Sequence, residues 1–188
     1  MACRPPGLCV DGQPRASVVA RRCRQFPVDI GRASTHVVTA DVDDVVVPSE
    51  RLLRALQFTG IVEIEYKRDP RDGRCKVLDV NPRIWGWHSV CNAAGVDFPQ
   101  LAWRLALGEA IPEQHGRAGV RWVRMTTDLL ASAHEIAVGH LSLAAWVLSL
   151  RGPIETAIFA YDDPMPGLLE IPLMAYLIGK RFLRRRGL

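Results

Sequence analysis

Two stretches near the middle of the chain alternate between polar and apolar positions, which is the pattern of β-strands with two different faces. In residues 60–67, one predicted face is apolar and consists of Val62, Ile64 and Tyr66. The reverse face contains Ile61 followed by the charged residues Glu63, Glu65 and Lys67. Successive side chains of a strand point to opposite sides, so the charged residues are expected to share one surface.

The second stretch, residues 76–83, is expected to pair with the first as a hairpin, because Asp72-Gly73 between them is a strong turn signal. Its predicted faces are Val77, Asp79 and Asn81 on one side and Leu78 and Val80 on the other. A register that places Glu65 opposite Asp79 also places Glu63 opposite Asn81. A shift of one residue would move these side chains to different surfaces, so the predicted site depends on the register.

Carboxylates that face each other across a strand pair repel unless a cation or a proton compensates their charge. Magnesium prefers oxygen ligands and usually takes only one or two protein carboxylates, with water and substrate phosphates in its other positions. The set Glu65, Asp79 and Asn81 fits such a site, and Arg83 follows with a guanidinium suited to phosphate oxygens. The alternative is an ordinary surface hairpin, whose charged face is a solvated edge and whose Arg83 pairs with one of its acids.

Upstream of these strands, the pattern predicts another hairpin and a helix. Residues 8–10, the turn at Asp11-Gly12 and residues 15–25 predict the hairpin, and residues 37–39 predict a further strand. Ser49 is predicted to cap a helix that extends to about Gln57. The residues expected to face the core from this helix are Leu52, Leu53 and Leu56.

Downstream, short helices and then a longer helical region are predicted. Ser89 and Asp97 are the expected helix caps, and Gly95 and Gly108 the expected ends. His88 is interpreted as a packed, hydrogen-bonded residue rather than as a proton carrier. Residues 121–124 predict a strand, residues 127–150 predict helices, and residues 168–186 predict a helix with a basic end.

Composition narrows the class of protein. With 188 residues and a net charge of +4, the chain suits one mildly basic domain, and its basic clusters at residues 15–24 and 180–186 accompany no nucleic-acid reading motif. The five cysteines form no Cys-x-x-Cys pair or zinc-ligand pattern, and residues 1–10 lack the features of a signal peptide. The apolar run 167–179 is shorter than the roughly 20 residues that span a bilayer. We therefore expect a cytoplasmic protein that is not transmembrane and binds no nucleic acid.

The sequence Glu-Ile-Glu-Tyr-Lys at 63–67, followed by Leu-Asp-Val-Asn-Pro-Arg at 78–83, resembles the carboxyl-terminal half of ATP-grasp ligases of the carboxylate–amine type. The metal-binding strand pair of that family ends in acidic-x-Asn-Pro-Arg. The resemblance extends over roughly residues 8–165 and implies an α+β fold, a mostly antiparallel sheet flanked by helices. It also implies a partial ATP-grasp domain over residues 1–125 and a helical carboxyl-terminal extension, residues 126–188, packed on it.

The resemblance gives each motif residue an expected role. Glu65 corresponds to the first magnesium ligand, Asp79 to the second, bridging ligand and Asn81 to the third. Arg83 corresponds to the residue that contacts the terminal phosphates, and it is the predicted catalytic residue. The residues expected to contact the nucleotide are Arg22, Arg24, Lys67 and Arg83. For Arg22 and Arg24 the alternative is an ordinary basic edge strand.

The implied reaction uses ATP with Mg²⁺ or Mn²⁺ to convert a small carboxylate into an acyl phosphate that an amine attacks. ATP-grasp ligases clamp ATP between two subdomains, and the first of these corresponds to sequence before the stretch where this chain begins. We therefore expect the chain to be incomplete alone, with a partner protein as one source of the missing half. The alternatives are a noncatalytic nucleotide- or metal-binding remnant, or a peripheral membrane or partner-binding protein that acts through its basic tail.

Overall fold

In the computed structural model, which describes residues 2–29 and 31–185, ten strands form one mostly antiparallel sheet. The strands are β1 (Ala2–Arg4), β2 (Pro6–Val10), β3 (Gln13–Ser17), β4 (Ala20–Phe26), β5 (Ala33–Thr39), β6 (Gly60–Arg68), β7 (Cys75–Asn81), β8 (Gln114–His115), β9 (Arg121–Val123) and β10 (Ile154–Thr156). Their order is β10-β9-β5-β4-β1-β6-β2-β3-β8, with β7 on the other edge of β6. Only β3 with β8 and β9 with β10 pair in parallel among the described strands.

Six α-helices accompany this sheet in the described ranges. They are α1 (Asp43–Ala55), α2 (Ser89–Ala93), α3 (Phe98–Ala106), α4 (Met125–Ala137), α5 (Leu143–Ser149) and α6 (Met165–Arg185). The expected α+β class, a mostly antiparallel sheet flanked by helices, is confirmed. Residue 186, the expected end of the last helix, lies outside the described residues.

The two faces of β6 pack against different parts of the protein, as the alternation predicts. Val62, Ile64 and Tyr66 belong to a buried cluster with Val45 and Leu53 of α1. On the reverse face, the half-buried Ile61 packs against a second cluster that contains Trp85, Trp87 and Phe98. The charged residues of β6 therefore lie on the face of the sheet that packs against Trp85 and Trp87.

Helix α1 begins six residues before the predicted start. Pro48 lies inside it, although a proline lacks the amide donor of a helix interior. Ser49 is an interior residue rather than a cap: its hydroxyl donates to Val45 O at 2.6 Å and bonds with the Tyr66 hydroxyl at 2.9 Å. Leu53 is buried as expected, but Leu56 follows the end of the helix and is exposed.

The other predicted elements are mostly present, with corrected boundaries. The turn at Asp11-Gly12 joins β2 to β3, and both residues have positive φ, as in the turns that suit hairpins. The predicted strand 15–25 is divided into β3 and β4 at residues 18–19. Asp97 caps α3 by accepting a bond from Gln100 N at 3.0 Å. Ser89 is instead the first residue of α2, and its hydroxyl accepts a bond from Trp122 Nε1.

The region after residue 125 contacts the sheet in two ways. Strand β10 pairs with β9 and so belongs to the sheet itself. Helix α4 contributes Asp128, whose carboxylate is fully buried and pairs with Arg24 of β4. The division into residues 1–125 and a packed extension stays a prediction. Among the described residues, no helix has the length and apolar character needed to cross a membrane.

His36 of β5 lies beside this buried pair and should make stability depend on pH. Burial lowers the pKa of His36 from 6.5 to about 4, and the positive charge of Arg24 acts in the same direction. Its Nε2 donates to Ser149 O at 3.1 Å, whereas its buried Nδ1 has no partner among the described residues. Protonation would therefore place an unpaired charge in the core.

We expect the free energy of unfolding to fall between pH 7 and pH 5. The unfolded chain binds a proton at His36 below about pH 6.5, whereas the folded chain binds it only near pH 4, so acid favours the unfolded state. The loss from this residue should be about 2 kcal/mol over that range. Urea unfolding at both pH values, with His36→Asn as the comparison, measures it. A wild type with the same stability at both values would contradict the expectation.

Candidate functional site

The hairpin β6–β7 has the register on which the site depends. Glu65 stands opposite Asp79, and Glu63 stands opposite Asn81. The turn between the strands is held by the Asp69 carboxylate, which accepts bonds from Arg71 and Lys76. The predicted register is therefore confirmed, and it brings three carboxylates and one amide to neighbouring positions of two strands.

A β-bulge in β7 changes one part of the predicted pattern. Val77, not Leu78, stands opposite Tyr66, so Leu78 is an extra residue in the ladder. Leu78 was expected on the face away from the acids, but it lines the same cleft as Glu63 and Glu65. The extra residue interrupts the strict alternation, and Val77 no longer shares the face of Asp79.

A cleft of about 480 Å³ lies on the acidic face of β6. Its floor includes Glu63, which is buried, and Glu65, which is half-buried. Its aromatic wall includes Trp85, Trp87 and Trp122. Four basic residues also line it, namely Arg22, Arg32, Arg83 and Arg124. The cleft therefore combines acids that suit a cation with arginines that suit anionic groups.

Of the predicted metal ligands, Glu65 lines the cleft, whereas Asp79 and Asn81 are not among the described residues that line it. Asp79 is exposed on β7, and one of its carboxylate oxygens accepts a bond from Val80 N at 2.9 Å. Asn81 is half-buried, and its Oδ1 accepts a bond from Arg83 Nη2 at 3.2 Å. Arg83 also donates to Ile84 O at 3.2 Å, so two acceptors orient its guanidinium at the cleft.

The donor set suits a hard cation because all of its atoms are oxygens. In residues 2–29 and 31–185, no group of three or more His, Cys, Asp or Glu side chains is placed to hold a metal ion. The expected set consists of two carboxylates, Glu65 and Asp79, and the Asn81 amide. Two carboxylates are as many as magnesium usually takes from a protein when it also binds phosphates. Ligation by these residues stays a prediction.

The structure separates the predicted nucleotide contacts into two groups. Arg22 and Arg83 line the cleft, and Arg22 Nη1 donates to Gly31 O at 3.0 Å. Arg24 lies elsewhere, because its guanidinium binds the Asp128 carboxylate through two bonds of 2.8 and 2.9 Å and donates to Ser149 Oγ. Lys67 is exposed near the hairpin turn, opposite Lys76. Neither Arg24 nor Lys67 is among the described residues that line the cleft.

Several cleft residues were missed from sequence. Glu63 could have been included, since it alternates with Glu65 on one face of β6. Arg32 belongs to the stretch 31–36, which is small and polar as a substrate loop would be, although loops of this kind often have no such role. Arg124 gave no sequence signal, because its place follows from packing. Ser34 is also part of the lining and is nearly buried.

Three buried polar atoms of the cleft residues lack a hydrogen-bond partner among the described residues. They are Ser34 Oγ, Trp85 Nε1 and Trp87 Nε1. Buried polar groups are costly to leave unpaired, so such atoms commonly meet water or a ligand. His88, by contrast, is a packed residue as interpreted, since its Nδ1 bonds with Trp85 O at 2.9 Å.

A family model described as ATP-grasp in the biosynthetic pathway with Ter operon matches residues 9–127, more than half of the chain. The chain belongs to the ATP-grasp family. The matched range contains all of the predicted metal and nucleotide residues. No curated protein matches the chain.

Solved structures with a similar fold include two carboxylases or their subunits and a ligase. Rhizobium etli pyruvate carboxylase matches with a TM-score of 0.53 and 16% identity, over 64% of this chain and 13% of its own. The ATPase subunit of phosphoribosylaminoimidazole carboxylase from Aquifex aeolicus matches with a TM-score of 0.46 and 14% identity, over 60% of this chain and 36% of its own. The L-amino acid ligase from Bacillus licheniformis matches with a TM-score of 0.44 and 18% identity, over 56% of this chain and 29% of its own. The chain thus spans well under half the length of each, and these likenesses show the fold alone.

Proposed function

We propose that the chain is the magnesium- and ATP-binding part of an ATP-grasp ligase that activates a carboxylate as an acyl phosphate for attack by an amine. The observation that carries this proposal is the register that sets Glu65 opposite Asp79 and Glu63 opposite Asn81, beside a cleft lined by arginines. The paired acids and the Asn81 amide supply the oxygen ligands that magnesium prefers, and Arg83 supplies a group that binds phosphate. Family membership supports the nucleotide as the partner of that cation.

Each residue has a distinct task in this proposal. Glu65, Asp79 and Asn81 would hold the magnesium, which supplies positive charge to the ATP phosphates. Arg83 donates to the oxygens of the phosphoryl group that is transferred, and its bonds to Asn81 and Ile84 fix its direction before the nucleotide binds. Charge in phosphoryl transfer is spread over the transferred oxygens, so fixed donors stabilise it without a protein base.

The other arginines of the cleft suit the second anion of the reaction, the substrate carboxylate. Arg22 and Arg32 lie on the same lining as Glu65. Ser34 and Trp87 add polar atoms without a partner in the part of the chain that the structure describes, so a bound ligand with oxygen atoms would complete their hydrogen bonding. We place this reaction in the cytoplasm and assign the remainder of the ATP clamp to a further segment or partner protein.

The proposal is tested by trapping the acyl phosphate with hydroxylamine. The chain, together with the ATP-grasp segment that completes the clamp, is incubated with Mg-ATP, hydroxylamine and a panel of small carboxylates, and hydroxamate is measured. We expect ATP-dependent hydroxamate from at least one acid, reduced by roughly 100-fold or more in Arg83→Ala because one fixed donor to the transferred group is lost. Arg71→Ala, on the turn of the same hairpin, should leave the rate unchanged.

Hydroxamate formation that is equal in Arg83→Ala and wild type would contradict the assigned role of Arg83. Binding of Mg-ATP without hydroxamate from any acid would favour a noncatalytic nucleotide-binding protein over a ligase. The two outcomes are separable, because the first concerns one residue and the second concerns the reaction.

A further inference from the structure

Helix α6 exposes most of its apolar residues. From Met165 to Lys180, large apolar side chains that are 43–65% exposed follow one another around the helix, namely Leu168, Leu169, Ile171, Leu173, Tyr176 and Leu177. Soluble proteins rarely expose a contiguous apolar surface of this kind unless it binds something. This outward surface of α6 is separate from the cleft, whose lining contains no residue of α6.

The orientation of α6 is fixed by a narrow stripe of three residues one turn apart, Gly167, Glu170 and Met174. Glu170 is buried, and its Oε1 accepts bonds from Arg124 Nε at 2.8 Å and Nη2 at 2.7 Å. Gly167 lies so close to Phe159 that a Cβ at this position would be 2.9 Å from the Phe159 ring. Because these contacts hold one side of the helix against the protein, its apolar side must face outward.

The charges of α6 determine which partner suits this surface. Glu170 is the only acidic residue in the helix, and its charge is directed inward to Arg124. The sequence from 180 to 186 contains five cationic residues, namely Lys180, Arg181, Arg184, Arg185 and Arg186. Lys180 lies 5.7 Å from the centre of the Tyr176 ring, at the junction of the apolar and basic parts. In the sequence, the apolar part of α6 is therefore followed by positive charge.

We propose that α6 binds the surface of an anionic phospholipid bilayer, with its apolar side chains at the level of the headgroups and its basic end on the acidic lipids. Amphipathic helices bind in this way, and each Lys or Arg near an anionic leaflet strengthens the binding. A second copy of the chain is a poorer partner, because the described outward surface of α6 offers no acidic residue to the basic end of another copy.

Sedimentation with vesicles tests this proposal. Binding of the chain is measured with vesicles of phosphatidylcholine alone and with vesicles that contain phosphatidylglycerol. We expect binding to the anionic vesicles that weakens with added salt, and a loss of about tenfold or more in the double variant Leu169→Asp/Leu173→Asp. The matched control is Leu143→Asp/Leu148→Asp, which alters two exposed leucines of α5 and should bind as wild type does.

Three results would overturn the proposal. They are the absence of binding to anionic vesicles by the folded wild type, equal binding to neutral and anionic vesicles, and equal losses in the α5 and α6 variants. Light scattering across a range of concentrations adds a fourth: a dimer that only the α6 variant disrupts would assign the surface to a second copy. Circular dichroism of each variant shows whether it is folded. Nucleotide binding should be unchanged in the α6 variant, so this test is independent of the proposed ligase function.

Discussion

Asp79→Asn is expected to weaken the binding of Mg-ATP by roughly 100-fold or more, because it removes one of two carboxylates from the proposed metal set. The substitution keeps the shape of the side chain and an oxygen that can accept the bond from Val80 N, so the hairpin should remain folded. Calorimetric titration of Mg-ATP into the purified chain measures the change. ATP without magnesium should bind weakly to both proteins, because no metal ion then links its phosphates to the carboxylates.

The matched control for this experiment is Asp72→Asn. Asp72 is a carboxylate of the same hairpin, but it lies in the turn, where it pairs with Lys76 at 3.1 Å. Its loss removes the same charge from the same element without changing the proposed metal set, so we expect wild-type affinity. Equal affinities of wild type and Asp79→Asn would contradict the assignment. Equal losses of Mg-ATP affinity in Asp79→Asn and Asp72→Asn would mean that the net charge of the hairpin, and not a metal site at Asp79, causes the effect.

Asp128→Ala is expected to lower the free energy of unfolding by about 3–5 kcal/mol, because it leaves the Arg24 charge buried without its partner. Asp128 is fully buried and receives bonds from Arg24, Thr35 Oγ1 and Trp146 Nε1. Burial by itself would raise the pKa of Asp128, but the hydrogen bonds and charge of Arg24 outweigh it and the pKa is lowered. Urea unfolding at pH 7 measures the loss.

An exposed pair provides the comparison for this loss. Asp44 and Arg68 approach to 2.7 Å, but their side chains are 61% and 42% exposed. Solvent screens such pairs, so Asp44→Ala should cost less than about 1 kcal/mol. If Asp128→Ala cost no more than Asp44→Ala, the buried pair would not anchor α4 to the sheet.

The hairpin could be predicted from sequence because its signals are local. Alternation of residues 60–67 indicated which side chains share a face, and Asp72-Gly73 indicated the turn. The register of Glu65 with Asp79 was the condition for the predicted site, and the structure meets it. The bulge at Leu78 could not be predicted in this way, because one extra residue in a strand leaves no mark on a short apolar run. The face of Val77 and Leu78 was therefore assigned wrongly, whereas that of the acids was correct.

Long-range contacts explain most of the other differences. Arg22 and Arg24 look equivalent in sequence, yet Arg22 lines the cleft and Arg24 pairs with a carboxylate 104 residues later in the chain. No local pattern indicates such a partner. The start of α1 was missed because Ser49 is a residue type that favours caps, whereas the buried residues Val45 and Leu53 pack the longer helix against the sheet.

The cleft and the outward helix are linked by one residue. Arg124 belongs to the cleft lining, and its guanidinium binds Glu170 of α6. The carboxylate of Glu170 thus forms an ion pair with an arginine that lines the cleft. This contact gives α6 a physical connection to the proposed site of carboxylate activation, although its outward surface lies apart from that site.

The central claim is that the β6–β7 hairpin holds magnesium against the phosphates of a nucleotide. The most direct test is a crystal structure of the chain with magnesium and a non-hydrolysable ATP analogue. We expect a magnesium ion about 2.1 Å from an oxygen of Glu65 and of Asp79, with the terminal phosphate beside Arg83. A nucleotide bound elsewhere, for example in the separate cavity between α1 and β3, with no ion at these two acids, would contradict the claim.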